Sequence, residues 1–357
     1  MADLFAPMTF NHGPAMKNRF MLAPLTNLQS HADGVLSDDE FHWLTKRAQG
    51  GFGLTMTCAA HVQAVGQGFP GQLGVFGDQH LPGLTRLATA IKAAGSVAAL
   101  QMHHAGNRSP KDLVGQPVCP SDDPETGARG LSLGEVEQLV EDFVAAAVRA
   151  EHAGFQGVEI HGAHGYILAQ FLSPEINRRE DRYGGSVENR ARIVFEIIEG
   201  VRARTGKDFQ LGLRLSPERF GLKLADIVQT TQAILADGRI DYLDMSLWDV
   251  FKEPTEEAHK GRSLMSYFTE LDRGNVRLGV AGKVTTPAIA SKMLEDGADY
   301  VLIGRAAILH HDFPKRARDA AFTPVALPVT AEYLAHEGLG PAFVKYMSTW
   351  PGFVEAA

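Results

Sequence analysis

The chain has 357 residues, of which 45% are apolar and 21% charged, and its formal net charge is −8. That balance is too apolar for a disordered chain, and the length suits either one barrel with insertions or two small domains. The acidic charge, with no block of basic residues and no apolar run near the roughly 18–20 residues that span a bilayer, argues against nucleic acid and membranes as partners. The start, Met1–Phe20, has no basic stretch leading into an apolar one, so no signal peptide is expected. Cys58 and Cys119 are too few for an iron–sulfur cluster, which usually takes four thiolates. One disulfide is the alternative, but nothing else suggests an oxidising compartment, so both read as free thiols in a cytoplasmic protein.

In chain order, Phe5–Asn18 reads as a β-hairpin turning at Asn11-His12-Gly13, placed to plug the bottom of a barrel. Eight strand-like runs follow: Arg19–Ala23, Leu54–Cys58, Val97–Met102, Gly157–Ile160, Gln210–Leu215, Ile240–Met245, Val276–Val280 and Tyr300–Ile303. Helical patterns lie between them. Asp38–Gln49 opens after Ser37, a good N-cap, and is followed by Pro82–Ala94 and Leu133–Ala153. Val187–Thr205, Leu224–Ala236 and Pro287–Asp296 complete the set. Runs such as VAALQM and YVLI are nearly all apolar, as strands buried on both faces are. The alternation predicts an α/β fold, a single (β/α)₈ TIM barrel spanning residues 1–357, with an N-terminal β-hairpin and a long loop after strand 3. A doubly wound open sheet fits the same alternation. The long loop, Asn107–Arg129, is polar and rich in Pro and Gly. No linker or low-complexity stretch marks a second domain.

The densest group of chemical residues is His161-Gly-Ala-His164-Gly-Tyr166, directly after the strand GVEI and so at a strand's C-terminal end, where barrels place catalysis. Imidazoles bind a substrate oxygen and a phenol delivers a proton. A metal pair or structural loop histidines are the other readings, and no carboxylate or third histidine completes a metal site. Gln101 and His103 share a face at the end of the third strand, where a glutamine reads the amide-like edge of a flat heterocycle or is satisfied by backbone. Arg214 interrupts the apolar strand LGLRLS; it either neutralises an anionic ligand or pairs with an acid on a neighbouring strand. Gly282-Lys283 and Gly304-Arg305 follow the last two strands, a common place for phosphate in barrels. No G-x-G-x-x-G is present, so no Rossmann nicotinamide site is visible.

The motifs KNRFMLAPLTN (Lys17–Asn27), QMHHAG (Gln101–Gly106), GVEIHGAHGYILAQFLSPEINRREDRYGGSVENR (Gly157–Arg190) and VLIGRAAI (Val301–Ile308) resemble the old yellow enzyme family, in the same order, from about Ala6 to Pro314. The resemblance implies an FMN-dependent ene-reductase. FMN would be tightly but non-covalently bound, and NADPH or NADH would be a transient reductant. It implies that Ala23 and Pro24 contact the flavin through backbone, that Thr26 bonds near its O4, and that Ala59 lies beside the ring. It places Gln101 on the pyrimidine edge, Arg214 near N1 and O2, and Gly282, Gly304 and Arg305 on the phosphate. His161 and His164 would hold the substrate's carbonyl or nitro oxygen while Tyr166 protonates the α-carbon. The substrate class is small electron-poor alkenes: α,β-unsaturated carbonyls, maleimides and nitroalkenes. A homodimer is the family expectation.

Three positions depart from the family pattern. His103 stands where members line the substrate pocket with varied residues. Thr26 replaces the cysteine of one branch, and the end, KYMSTWPGFVEAA, lacks an arginine–tryptophan tail that reaches a partner's site. Tyr346 and Trp350 either take a related part or pack on the barrel, with packing preferred; Trp248 either faces the pocket or caps the core. Same-fold rivals are dienoyl-CoA reductases and amine dehydrogenases, which add a cluster and further domains, and flavin isomerases or dehydrogenases, which often lack the tyrosine. A flavin-free lyase or aldolase would need a metal or a Schiff-base lysine, for which Lys283 is the lone candidate. A non-catalytic binding protein would leave the histidines and tyrosine idle.

Overall fold

A computed structural model of the chain describes residues 3–355, and all eight expected strands form in it. They are β1 Phe20–Leu22, β2 Leu54–His61, β3 Val97–His103 and β4 Gly157–Gly162, then β5 Gln210–Leu215, β6 Tyr242–Ser246, β7 Arg277–Ala281 and β8 Tyr300–Ile303. Every strand lies parallel to its chain neighbours, and β1 pairs with both β2 and β8, which closes the ring. The principal helices are α1 Asp38–Gln49, α2 Leu81–Ala93, α3 Leu133–His152, α4 Val187–Arg204, α5 Leu224–Asp237 and α6 Pro287–Glu295. Local chemistry fixes their starts. Ser37, Ser186 and Thr286 each accept from a backbone N–H of the first turn, and Ser132 with Glu135 forms a reciprocal capping box. One stripe of α3, including Leu139, Phe143 and Ala147, is buried against the strands. A closed ring is favoured over the open sheet because it leaves no edge strand unpaired.

Inside the ring, Met21, Leu54, Met56, Val97, Tyr242, Tyr300 and Leu302 form a core distinct from the larger helix–strand core. Gly212 and Gly279 make room for it. A Cβ on Gly212 would stand 2.1 Å from the Tyr242 ring, and one on Gly279 2.2 Å from the Tyr300 ring. The N-terminal segment seals this end with Met8, Phe10 and Met16, but the expected hairpin is reduced to a single antiparallel bridge, Met8–Met16. Side chains from the barrel replace the missing ladder. Gln210 Nε2 donates to the carbonyls of His12 and Pro14 at 3.0 and 2.7 Å, and Arg277 Nε to that of Thr9 at 3.0 Å.

The segment Asn107–Arg129 is more ordered than its composition suggests. It carries a one-turn helix, Lys111–Val114, and Val118–Cys119 pairs in parallel with Arg129–Gly130. Arg179 pins it by donating to Pro120 O at 2.7 Å and to Leu131 O. The helices that periodicity missed are short: Ile167–Leu172, Arg305–Leu309, Ala331–His336 and Pro341–Ser348. After β6 two short turns, Glu257–His259 and Ser266–Thr269, stand in place of a long helix. The helix Pro341–Ser348 docks by packing Phe343 edge-on against Trp43, with ring centroids 4.8 Å apart. No helix among the described residues is long and apolar enough to cross a membrane.

Candidate active site

The C-terminal mouth of the barrel gathers the predicted chemical residues on adjacent strands. Ala59 on β2 pairs in register with Gln101 on β3, Gln101 with Glu159 on β4, His161 with Arg214 on β5, and Arg214 with Asp244 on β6. β4 runs two residues further than expected, so His161 belongs to the strand while His164 and Tyr166 occupy the turn beyond it. His164 sits in the left-handed region at φ 60. Ser216 Oγ accepts from its N–H at 2.9 Å and Arg108 donates to its carbonyl at 2.6 Å, which holds a conformation that costs energy for a non-glycine residue.

The imidazoles His103, His161 and His164 and the Tyr166 phenol face one another. His161 lies 5.0 Å from His164 and 5.2 Å from Tyr166, and His103 lies 4.3 Å from Tyr166, centroid to centroid. Two of the tautomers follow from neighbours. The Ala163 N–H donates to His161 Nδ1 at 3.2 Å, so the ring proton is on Nε2. Gln72 Oε1 accepts from Gly68 N at 2.6 Å, so its Nε2 is the end that donates to His103 Nδ1 at 3.0 Å. His103 therefore also carries its proton on Nε2, a buried N–H without a protein partner. Burial holds all three imidazoles neutral, well below the usual histidine range, and the neighbours that would repel a second charge add to it: His104 beside His103, His164 beside His161, and the Arg214 cation beside His164. Burial also raises the Tyr166 phenol, against a smaller opposing effect of Arg108, so it is a protonated donor. Neutral N–H groups and a protonated phenol are suited to receiving negative charge on an oxygen and delivering a proton.

A cavity of about 480 Å³ adjoins this cluster, within the usual range for small-molecule sites. Ala23, Pro24, His164, Arg214, Gly282, Gly304 and Arg305 line it, together with Trp248 and Trp350. Thr26, Ala59, Gln101, His103, His161 and Tyr166 are outside that lining, on the strands and turns that continue the mouth. Gly282 has φ +152, and a Cβ there would come within 2.8 Å of Asp249 N, so glycine is required. The helix Arg305–Leu309 starts at Gly304 without a side-chain cap, so its first N–H groups are open to an anion. Arg305 is exposed beside them. A flat ring with a phosphate tail fits these donors: glycines for close backbone approach, a cation at the phosphate, and Arg214 and Gln101 at the opposite side. Among the described residues, no three metal-ligating side chains cluster.

The pairing expected of Arg214 with an acid on a neighbouring strand is present. Arg214 borders the cavity and lies 3.1 Å from Asp244 on the next strand. Gln101 donates to Glu159 Oε1 at 2.7 Å, so one amide hydrogen is already engaged. Trp248 is 62% exposed and lines the cavity rather than capping the core. Trp350 packs on the apolar core and also reaches the cavity, while Tyr346 is close enough to help raise the Tyr166 phenol. Both cysteines are free and buried. Sequence reasoning missed Glu159, Asp244, Gln72 and Arg108. The first two carried the same signal as Arg214, a lone charge in an apolar strand. Gln72 and Arg108 sit in loops and carried none.

Residues 3–321 match the model of the NADH:flavin oxidoreductase / NADH oxidase family. A probable NADH-dependent flavin oxidoreductase, YqiG, from Bacillus subtilis (strain 168) is 37% identical over 328 residues, 88% of each chain. An NADH:fumarate oxidoreductase from Klebsiella pneumoniae (strain 342) is 34% identical over 88% of this chain, which spans only 36% of that longer relative. Among solved structures, the old yellow enzyme homologue from Zymomonas mobilis superposes with a TM-score of 0.82 at 28% identity, covering 96% of this chain and 99% of that one.

Proposed function

Since the chain belongs to the NADH:flavin oxidoreductase / NADH oxidase family, that of the old yellow enzymes, and uses FMN with NAD(P)H as reductant, we propose that it reduces the carbon–carbon double bond of activated alkenes. The observation that carries this reading is the convergence of neutral imidazole N–H groups and a protonated phenol at one point of the mouth. FMN, when bound, would supply hydride chemistry, with NAD(P)H as its reductant. Ala23, Pro24, Thr26 and Ala59 would flank the ring, Gln101 and Arg214 would hold its pyrimidine edge, and Gly282, Gly304 and Arg305 would hold the phosphate. His161 and His164 bind the carbonyl or nitro oxygen of an unsaturated carbonyl, maleimide or nitroalkene. As hydride reaches the β-carbon, negative charge moves to that oxygen, and donors already aimed at it stabilise the transition state without reorganising. Tyr166 then gives its proton to the α-carbon. His103 and Trp248 border the substrate's space, His103 offering a further N–H. The fumarate-reducing relative, whose named substrate is a conjugated alkene, supports the same bond as target.

The test is anaerobic. Visible spectra of the holoenzyme are taken with NADH or NADPH and then with cyclohexenone. The flavin band should bleach and return. In Tyr166→Phe the bleaching rate should be unchanged, while the return slows by about 10²–10⁴, the usual contribution of a positioned general acid. An unchanged return would remove Tyr166 from the proton step.

A further inference from the structure

In register with Gln101 and Arg214 on the adjacent strands, two carboxylates are completely buried inside the barrel, Glu159 on β4 and Asp244 on β6. β5 separates them, its Gly212 paired with Glu159 and its Arg214 paired with Asp244. Gln101 donates to one oxygen of Glu159. The other oxygen, both oxygens of Asp244 and the hydroxyls of Tyr242 and Tyr300 have no hydrogen-bond partner. Arg214, 3.1 Å from Asp244 but not aligned as a hydrogen bond, is the one cation among the described residues that pairs with the cluster. Two carboxylates against one guanidinium leave an excess buried charge, which proteins relieve by binding a proton. Burial, with Asp244 adding to it, pushes Glu159 up to about 8, and burial pushes Asp244 up to about 6 despite Arg214.

We propose that Glu159 and Asp244 hold one proton between them beneath the flavin, and that reduction of the flavin makes the pair keep this proton to higher pH. This rests on the placement of the pyrimidine edge against Gln101 and Arg214 proposed above. Two electrons arriving at that edge put a second anion beside Arg214, which then offsets less of the carboxylate charge, so the protonated pair is favoured. The hydride from NAD(P)H supplies the two electrons and one proton; the additional proton comes from solvent. The other groups facing the pair leave its titration visible. His103, His161 and His164 above it are neutral, and burial holds Tyr242 and Tyr300 protonated, well above the usual phenol range. Below, Asp241 is engaged by Arg202 and His12.

The measurement is the midpoint potential of the holoenzyme from pH 6 to 10, by spectroelectrochemical titration, for the natural chain and Glu159→Gln. In the natural chain the slope should steepen above about pH 8 by one proton per two electrons, a tenfold change per pH unit or about 30 mV per unit. Glu159→Gln keeps an oxygen for Gln101, should retain FMN, and should lose the break. Asp244→Asn, the second variant, should lose it too. A natural chain with constant slope, or a Glu159→Gln with the same break, overturns the proposal. If Gln101→Leu and Arg214→Lys leave FMN affinity and potential unchanged, the pyrimidine edge lies elsewhere, and the placement fails together with what was built on it.

Discussion

Asp241 and Asp244 lie three residues apart, both completely buried, one at the N-terminal mouth of the barrel and the other toward the C-terminal mouth. They are treated in opposite ways. Asp241 accepts from the backbone N–H groups of His12 and Leu211, from His12 Nδ1 and from Arg202, at 2.7–3.0 Å. Asp244 has Arg214 in ion-pair range and no aligned donor. The backbone repeats the contrast. The non-glycine residues with positive φ, Leu28, His164, Arg219, Phe220, Trp248 and Lys283, all follow strands at the C-terminal mouth. At the other mouth, left-handed turns use glycine, as at Gly154 and Gly238. At the N-terminal mouth Asp241 is fully engaged and the left-handed positions fall to glycine, as suits an end that needs only to be stable. The C-terminal mouth holds strained backbone and unpartnered groups where a cofactor and substrate are to supply the missing interactions.

Acid should separate the two mouths most strongly. His103, His104, His161 and His164 are neutral in the folded chain, with His104 down at about 3, and they protonate freely once unfolded. Folded values lie below the unfolded value of about 6.5, so the unfolded state binds more protons as pH falls below that point. The imidazoles by themselves should cost nothing above about pH 7 and about 1.4 kcal/mol each by pH 5.5, roughly 5–6 kcal/mol together, and the raised Glu159 and Asp244 carboxyls, which bind their proton in the folded state, should offset part of this loss. Urea unfolding of the apoprotein at pH 7.5 and 5.5 measures this, and equal stabilities would mean that the mouth protonates without cost.

Asp241→Ala tests the satisfied end. It leaves Arg202 without its buried partner and should cost about 3–5 kcal/mol of stability while the flavin spectrum stays as it was. A flavin shift would show that the two mouths are coupled. Arg305→Ala tests the open end. Losing a charge-assisted contact of about 1.5–3 kcal/mol should weaken FMN retention roughly 10- to 100-fold with little effect on the apoprotein, and full occupancy after dialysis would remove Arg305 from the phosphate. The smallest effect is expected from Gly238→Ala. A Cβ there meets nothing within 4 Å, so only the left-handed φ of +70 resists it. The cost should be about 1–2 kcal/mol, seen as a few degrees in melting temperature and not in flavin affinity.

By itself the sequence determined the eight strands, the six long helices, the barrel and the motif residues of the mouth. Those features are written in local periodicity, caps and contiguous motifs. Apolar runs such as VAALQM read as buried strands, and His161, His164 and Tyr166 lie within six consecutive residues. Only the tertiary structure decided how polar groups from distant segments meet. Gln72 fixes the His103 tautomer from 31 residues away, and Asp244 reaches Arg214 from the neighbouring strand. The hairpin shrank to one bridge because the barrel floor, through Gln210 and Arg277, satisfies its backbone instead. Hydrogen bonding and burial depend on what lies across space, so a lone charge in an apolar strand announces that a partner exists, and closure of the ring decides which one it is.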